Sequence, residues 1–273
     1  MFEILKAVVY GIVEGITEWL PVSSTGHLIL LNDIMPMKVS EAFWSMFLVV
    51  IQLGAILAVV IIFWNQIWPF NFKVKNKPVI RYDVFNLWFK IIVACIPAAI
   101  VGILFDDIID QYLYTSTVVA TMLILVGIAF IVVENRNKNR KQTVTDIRKI
   151  TYKDALIIGL FQLVAAIFPG TSRSGATIIG SLLLGISREV AAKFTFFLAI
   201  PVMFGASLLK LIKFGFNFTG FEAVILLIGM AVAFIVSIVV IKFLMEYIKK
   251  HDFKVFGWYR IALGILVLLY FFI

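Results

Sequence analysis

The sequence predicts an all-α polytopic membrane protein: six transmembrane helices plus two re-entrant helical hairpins in an inverted-topology repeat. Three observations carry this. The 273-residue chain is 62% hydrophobic and 15% charged, with a mean hydropathy of +1.06, whereas soluble domains are about 45–50% apolar and about 25% charged. Its apolar runs are continuous rather than alternating, which excludes a barrel. Two of them are split by Pro-containing, hydroxyl-rich turns, Leu20-Pro21-Val22-Ser23-Ser24-Thr25-Gly26 and Pro169-Gly170-Thr171-Ser172-Arg173-Ser174-Gly175.

A spanning helix needs about 20 apolar residues. Six stretches qualify or nearly so: 43–64, 84–105, 115–133, 190–212, 222–244 and 257–273. Four others, 4–20 with 22–37 and 155–168 with 176–187, are too short. Short paired segments around a broken turn read as hairpins that enter and leave by one side. A shift of 148 places Ala7 on Ala155, Gly11 on Gly159, Pro21 on Pro169, Ser24 on Ser172 and Glu14 on Gln162, so the pairs read as copies.

Charge sets the orientation. The 134–153 segment holds Arg136, Lys138, Arg140, Lys141, Arg148, Lys149 and Lys153, and is expected in the cytoplasm. Counting back puts the 106–114 loop, with Asp106, Asp107 and Asp110, outside, and the 65–83 loop, with Lys73, Lys75, Lys77 and Arg81, inside. Counting forward puts 213–221 outside and 245–256, with Lys249, Lys250 and Lys254, inside. The count closes only if each short pair is a hairpin, the first opening outward and the second inward. This is one integral membrane domain, 1–273, with halves 1–133 and 154–273 joined by the 134–153 loop. The broken turns then meet near the midplane, where such folds build their sites.

The net charge of +8 follows from basic inner loops and does not call for nucleic acid. The single cysteine, Cys95, excludes an intramolecular disulfide. The N-terminus shows no basic segment followed by a small-residue cleavage site, so no cleavable signal is expected.

The turns carry the chemistry. Glu14 and Glu18 share one helix face, and two carboxylates there are costly without a divalent cation or cationic side chain between them, or a proton on one. Gly11 and Gly15 lie on nearby faces and allow another backbone to come close. Ser23, Ser24 and Thr25 follow a proline, where hydroxyls also cap the next helix. His27 lies two to four residues further on and suits acid–base work. In the second turn, Gly170 and Gly175 frame Thr171, Ser172, Arg173 and Ser174 at a helix N-terminus, an anion site with a planar guanidinium fork. No Walker pattern is present. Facing each other, the turns supply an anion clamp, a nucleophile or activated water, an acid–base group and a metal site, which together describe phosphoryl transfer. A site inside the membrane implies a substrate with a phosphate head and a lipid tail. Gln52 and Gln162 are supporting hydrogen-bond candidates.

These residues resemble the bacterial undecaprenyl-pyrophosphate phosphatases of the bacitracin-resistance type. The likeness rests on Glu14-Gly-Ile-Thr-Glu-Trp-Leu-Pro-Val-Ser-Ser-Thr-Gly-His27, on the turn from Pro169 to Gly175 with its continuation to Glu189, and on Val50 to Val60, and it covers nearly the whole chain. It implies hydrolysis of undecaprenyl diphosphate to the monophosphate, recycling a cell-wall lipid carrier, in a multi-pass protein of a bacterial cell membrane. It implies functional positions at Glu14, Glu18, Ser24, His27 and Arg173, supporting ones at Ser23, Thr25, Ser172 and Ser174, and a divalent cation, Mg2+ or Ca2+, at the Glu pair.

In the expected mechanism, Arg173, Ser172 and Ser174 hold the diphosphate. Ser24 attacks the terminal phosphorus, and His27 shuttles the proton. A second version makes His27 or a metal-bound water the nucleophile, and both stand at this point. The first hairpin carries most of the reactive groups and enters from outside, which favours an outward-opening site. The alternative function is transport, since inverted repeats with broken helices also build flippases. Lipid-facing and partner-facing apolar surfaces look alike in sequence, so a homodimer is left open.

Overall fold

In lipid the backbone must satisfy its own hydrogen bonds, and continuous apolar runs do so as helices. The computed structural model describes residues 2–72, 78–215 and 218–272. Its elements are α1 (Phe2–Thr17), α2 (Ser24–Ile34), α3 (Glu41–Val50), α4 (Gln52–Ile62), α5 (Trp64–Ile67), α6 (Tyr82–Leu113), α7 (Ser116–Asn137), α8 (Tyr152–Ile167), α9 (Arg173–Leu183), α10 (Arg188–Phe214), α11 (Gly220–Lys250) and α12 (Lys254–Phe272). Among the described residues there is no strand, only the single bridges Phe70–Ile80 and Val144–Ile186.

Among the described residues six segments are long and apolar enough to cross a membrane: Glu41–Ile62, Tyr82–Phe105, Ser116–Asn137, Arg188–Phe214, Gly220–Lys250 and Lys254–Phe271. They match the six predicted stretches to within a few residues, save α11, which runs on to Lys250. The first is α3 and α4 joined at Ile51. One boundary differs in kind. The 106–113 segment, predicted as loop, continues α6, because it holds neither Gly nor Pro to stop a helix. Lys73, Lys75 and Lys77 lie outside the described residues, as do the side chains of Asp106, Asp107 and Asp110.

Helix pairing follows small residues. α1 lies on α11, α8 on α6, and α7 on α12. A Cβ at Gly11 would meet the Gly229 carbonyl at 2.7 Å, and one at Gly159 the Ala94 carbonyl at 2.5 Å. Both glycines therefore permit backbone contact, as expected of small residues at membrane helix interfaces. Gly127 and Gly257 do the same between α7 and α12, where a Cβ on either meets the other's carbonyl within 2.8 Å.

The segment between α7 and α8 is stitched to the end of α9. Asn137 donates to the Leu182 carbonyl (2.8 Å) and Arg140 to that of Leu183 (2.8 Å). The Thr143 amide donates to the Gly185 carbonyl (2.9 Å), and the Ser187 amide to that of Val144 (2.9 Å). The first two satisfy carbonyls of the last turn of α9, which every helix C-terminus leaves orphaned. Nearby, buried Glu134 pairs with Arg188 at 2.6 Å and accepts the Phe253 amide at 3.0 Å, joining α7, α10 and the start of α12.

Candidate active site

The two turns have one local geometry. Ser23 caps α2 and Ser172 caps α9, each accepting an amide three residues on, from Gly26 (3.4 Å) and Gly175 (3.1 Å). Each sits at positive φ, 74° and 70°, and they are the only non-glycine residues to do so among the described residues. A serine there is strained, and the cap, worth about 1 kcal/mol, offsets part of the cost. This geometry aligns Ser23 with Ser172, where sequence matching put Ser24. The second turn has one more residue between its proline and its cap serine, Gly170-Thr171 against Val22 alone. Gly170 supplies the positive φ of 89° there, and a Cβ would strike the Val119 backbone at 2.5 Å. Ser24 and Arg173 are therefore counterparts, each the first residue of its helix.

The turns touch through Glu18. Its Oε1 accepts Arg173 Nη2 at 3.1 Å, across 155 residues of sequence. Its Oε2 accepts the Ser24 hydroxyl at 2.9 Å, and its backbone carbonyl accepts the Ser174 hydroxyl at 3.1 Å. The ion pair is largely buried, with 12% and 7% of its two side chains exposed. Arg173 also donates to the Thr195 carbonyl at 2.9 Å, while its Nε is buried without a partner. Arg173 is thus fixed by α10 and Glu18, and its remaining N–H groups are left over for a ligand.

Glu14 differs from Glu18 in kind. It is fully buried, and neither carboxylate oxygen has a hydrogen-bond partner among the described residues. Gln162, its counterpart by sequence shift, is also buried with both amide atoms unpartnered. Among the described residues no three His, Cys, Asp or Glu side chains form a metal-sized cluster, so protein carboxylates alone do not complete a coordination shell.

The remaining predicted residues divide. Ser24, Thr25 and Gln52 line a cavity of about 440 Å³, together with Asn32, Asp33 and Tyr114. Ser172 and Ser174 bond each other at 3.1 Å and spend their hydroxyls inside the protein. His27 does not reach Ser24 in this arrangement. Its Nδ1 lies 2.7 Å from the Ser23 carbonyl and its Nε2 2.7 Å from the Tyr259 hydroxyl. A carbonyl only accepts, so Nδ1 carries the hydrogen, and in the neutral ring Tyr259 donates to Nε2. Losing one neutral hydrogen bond costs about 0.5–1.5 kcal/mol. Tyr259→Phe is therefore expected to slow turnover by about 2- to 10-fold without unfolding the protein; steady-state rates and thermal unfolding check this.

Sequence alone does not single out Tyr259 and Arg260, which fall at the start of an apolar run. The available signal was an arginine within a spanning segment, which marks function by default.

The description "Bacitracin resistance protein BacA" matches residues 7–266. The chain is 65% identical to the undecaprenyl-diphosphatase of Enterococcus faecalis over 267 residues, 98% of this chain and 96% of that protein. It is 62% identical to the undecaprenyl-diphosphatase of Desulfitobacterium hafniense over 271 residues, 99% of this chain and 97% of that one. It is also 62% identical to undecaprenyl-diphosphatase 1 of Clostridium acetobutylicum over 271 residues, 99% and 98% of the two chains. With the matched region running from α1 into α12, the chain belongs to the bacitracin resistance protein BacA family.

Proposed function

We propose that this chain hydrolyses undecaprenyl diphosphate to undecaprenyl phosphate and inorganic phosphate in a bacterial cell membrane. It thereby recycles the lipid carrier of cell-wall synthesis and confers bacitracin resistance. The observation that carries the reading is one carboxylate, Glu18, holding the Ser24 hydroxyl at 2.9 Å and the Arg173 guanidinium at 3.1 Å. That is a nucleophile and an anion clamp joined through one base.

In the proposed reaction, Arg173 leaves part of its bond to Glu18 for the terminal phosphate, to which its fork is suited. Ser24 Oγ attacks the terminal phosphorus, and Glu18 Oε2 accepts the serine proton. The bridging P–O bond breaks, and undecaprenyl phosphate leaves with the electron pair. Water then attacks the phosphoserine, releasing phosphate and returning the hydrogen to Ser24. Glu18 takes the base role that sequence gave to His27, whose two nitrogens are engaged by Ser23 and Tyr259. His27 and Tyr259 hold the first turn of α2, and Thr25 and Gln52 face the cavity beside Ser24.

The Glu14 carboxylate, buried and unpartnered, fits a divalent cation, Mg2+ or Ca2+, and Glu18 is the second carboxylate within its helical turn. An ion held there by Glu14 would supply positive charge to the phosphate oxygens. Such ions usually complete their shells with water and substrate phosphate. Chelation by EDTA is expected to stop phosphate release, and added Mg2+ or Ca2+ to restore it; activity unchanged in EDTA removes the cation from the reading.

The short helix pairs are proposed to be re-entrant hairpins of an inverted repeat, with halves 1–133 and 154–273 about the 134–153 connection. Exchange of partners supports this: α1 lies on α11 as α8 lies on α6, and α7 and α12 face each other. The matched caps at Ser23 and Ser172 support it again. The cavity is lined by Tyr114 and Ser116, at the end of α7 opposite its basic terminus. By the positive-inside rule that end is outside, so the site opens outward. The test is phosphate release from undecaprenyl diphosphate by purified protein in detergent. With no two sides to cross, release there indicates hydrolysis. Lipid movement in vesicles without release in detergent would instead favour a flippase.

A further inference from the structure

Arg260, on α12, is a fully buried cation. Among the described residues no carboxylate pairs with it; its bonds go to main-chain carbonyls instead. Nη2 donates to Gly170 at 2.8 Å, to Thr171 at 3.0 Å and to Met122 at 3.4 Å. Nη1 donates to Pro21 at 3.2 Å. One guanidinium thus holds the first turn, the second turn and α7 together. The carbonyls of Pro21 and of Gly170 and Thr171 lie just beyond the C-terminal ends of α1 and α8. Those ends carry the negative pole of the helix dipole and favour a cation. The N-terminal ends of α2 and α9, which favour an anion, begin at Ser24 and Arg173.

We propose that Arg260 is a positioning residue that fixes the spacing between the two turns, so that Ser24 and Arg173 address one phosphate. The proposal rests on the hydrolytic reading above. Ser24 and Arg173 each follow directly on a capped turn, so the distance between turns is the distance between nucleophile and clamp. Arg260 Nη1 lies 3.5 Å from the point a Cβ on Gly175 would occupy, beside the first turn of α9. Only a planar fork reaches carbonyls on two separate turns; a lysine ammonium is a point donor on a flexible stem. Close contact of Gly257 with Gly127 sets how deeply α12, and with it Arg260, seats against α7.

The test uses the full-length protein in detergent, with phosphate release from undecaprenyl diphosphate read per folded molecule after size-exclusion chromatography and thermal unfolding. If the wild-type protein releases no phosphate, the hydrolytic reading fails, whatever Arg260 does. If it does release phosphate, Arg260→Lys is expected to lower kcat by about 100-fold, the effect of an ångström-scale misplacement of reacting groups, with KM within about threefold. Gly257→Ala keeps the arginine but displaces α12, and is expected to lower kcat by about 10-fold in the same pattern. Wild-type kcat in Arg260→Lys overturns the proposal, as does a change confined to KM. A loss that vanishes on normalising to folded protein, or failure of both variants to fold, assigns Arg260 to stability alone and overturns it too.

Discussion

Ser24→Ala is expected to lower phosphate release from undecaprenyl diphosphate by about 10³-fold or more while the protein stays folded. Removing a covalent nucleophile takes away a whole route, and the residual rate comes from binding groups alone. The fold survives because Ser24 contributes one hydrogen bond, to Glu18 at 2.9 Å, worth about 1.5–3 kcal/mol for a charged acceptor. The Ser23 cap that starts α2 is untouched. Substrate labelled in its terminal phosphate should label wild-type protein on Ser24 and leave the variant unlabelled. Near-normal turnover in the variant, or label on His27, rejects the serine mechanism.

Arg173→Ala is expected to lower kcat/KM by about 10³- to 10⁵-fold, the range an arginine contributes when it meets charge on a transferring phosphoryl group. It should also destabilise the protein by about 3–5 kcal/mol, because Glu18 is left as a buried carboxylate without its counter-charge. A second substitution separates the two effects. Glu18→Gln on that background removes the stranded charge, so unfolding temperature should recover while activity does not. Kinetics within threefold of wild type for Arg173→Ala refute the clamp, and an Arg173→Ala protein as stable as wild type refutes the buried pair.

Much of this arrangement was readable from composition and punctuation. Six long apolar runs gave six helices long enough to span, and two proline turns gave the breaks where the candidate site lies. The reactive residue types stood out because charge is rare in such a chain. Pairing was not readable. Glu14 and Glu18 are equivalent on a helix face, yet one is partnered and the other is not, and the difference comes from Arg173, 155 residues away. The turn register was off by one because a single extra residue after Pro169 leaves few identities to detect it. His27 looked like the partner of Ser24 because both lie in one stretch of sequence. The ring turns instead toward Tyr259, 232 positions later. Arg260 stands out as an arginine in an apolar run, but nothing near it in sequence names the two turns that it joins.

The stitching of the α7–α8 connection onto α9 bears on how this protein can be handled in the laboratory. A basic segment between two long helices invites use as an insertion point for tags, fusion partners or a cleavage site. Here the backbone of Thr143 and Val144 and the side chains of Asn137 and Arg140 are bonded to residues Leu182 to Ser187. Cutting there would free the carbonyls that terminate the helix bearing Arg173. Co-expressed fragments should be divided elsewhere if they are to reassemble with activity.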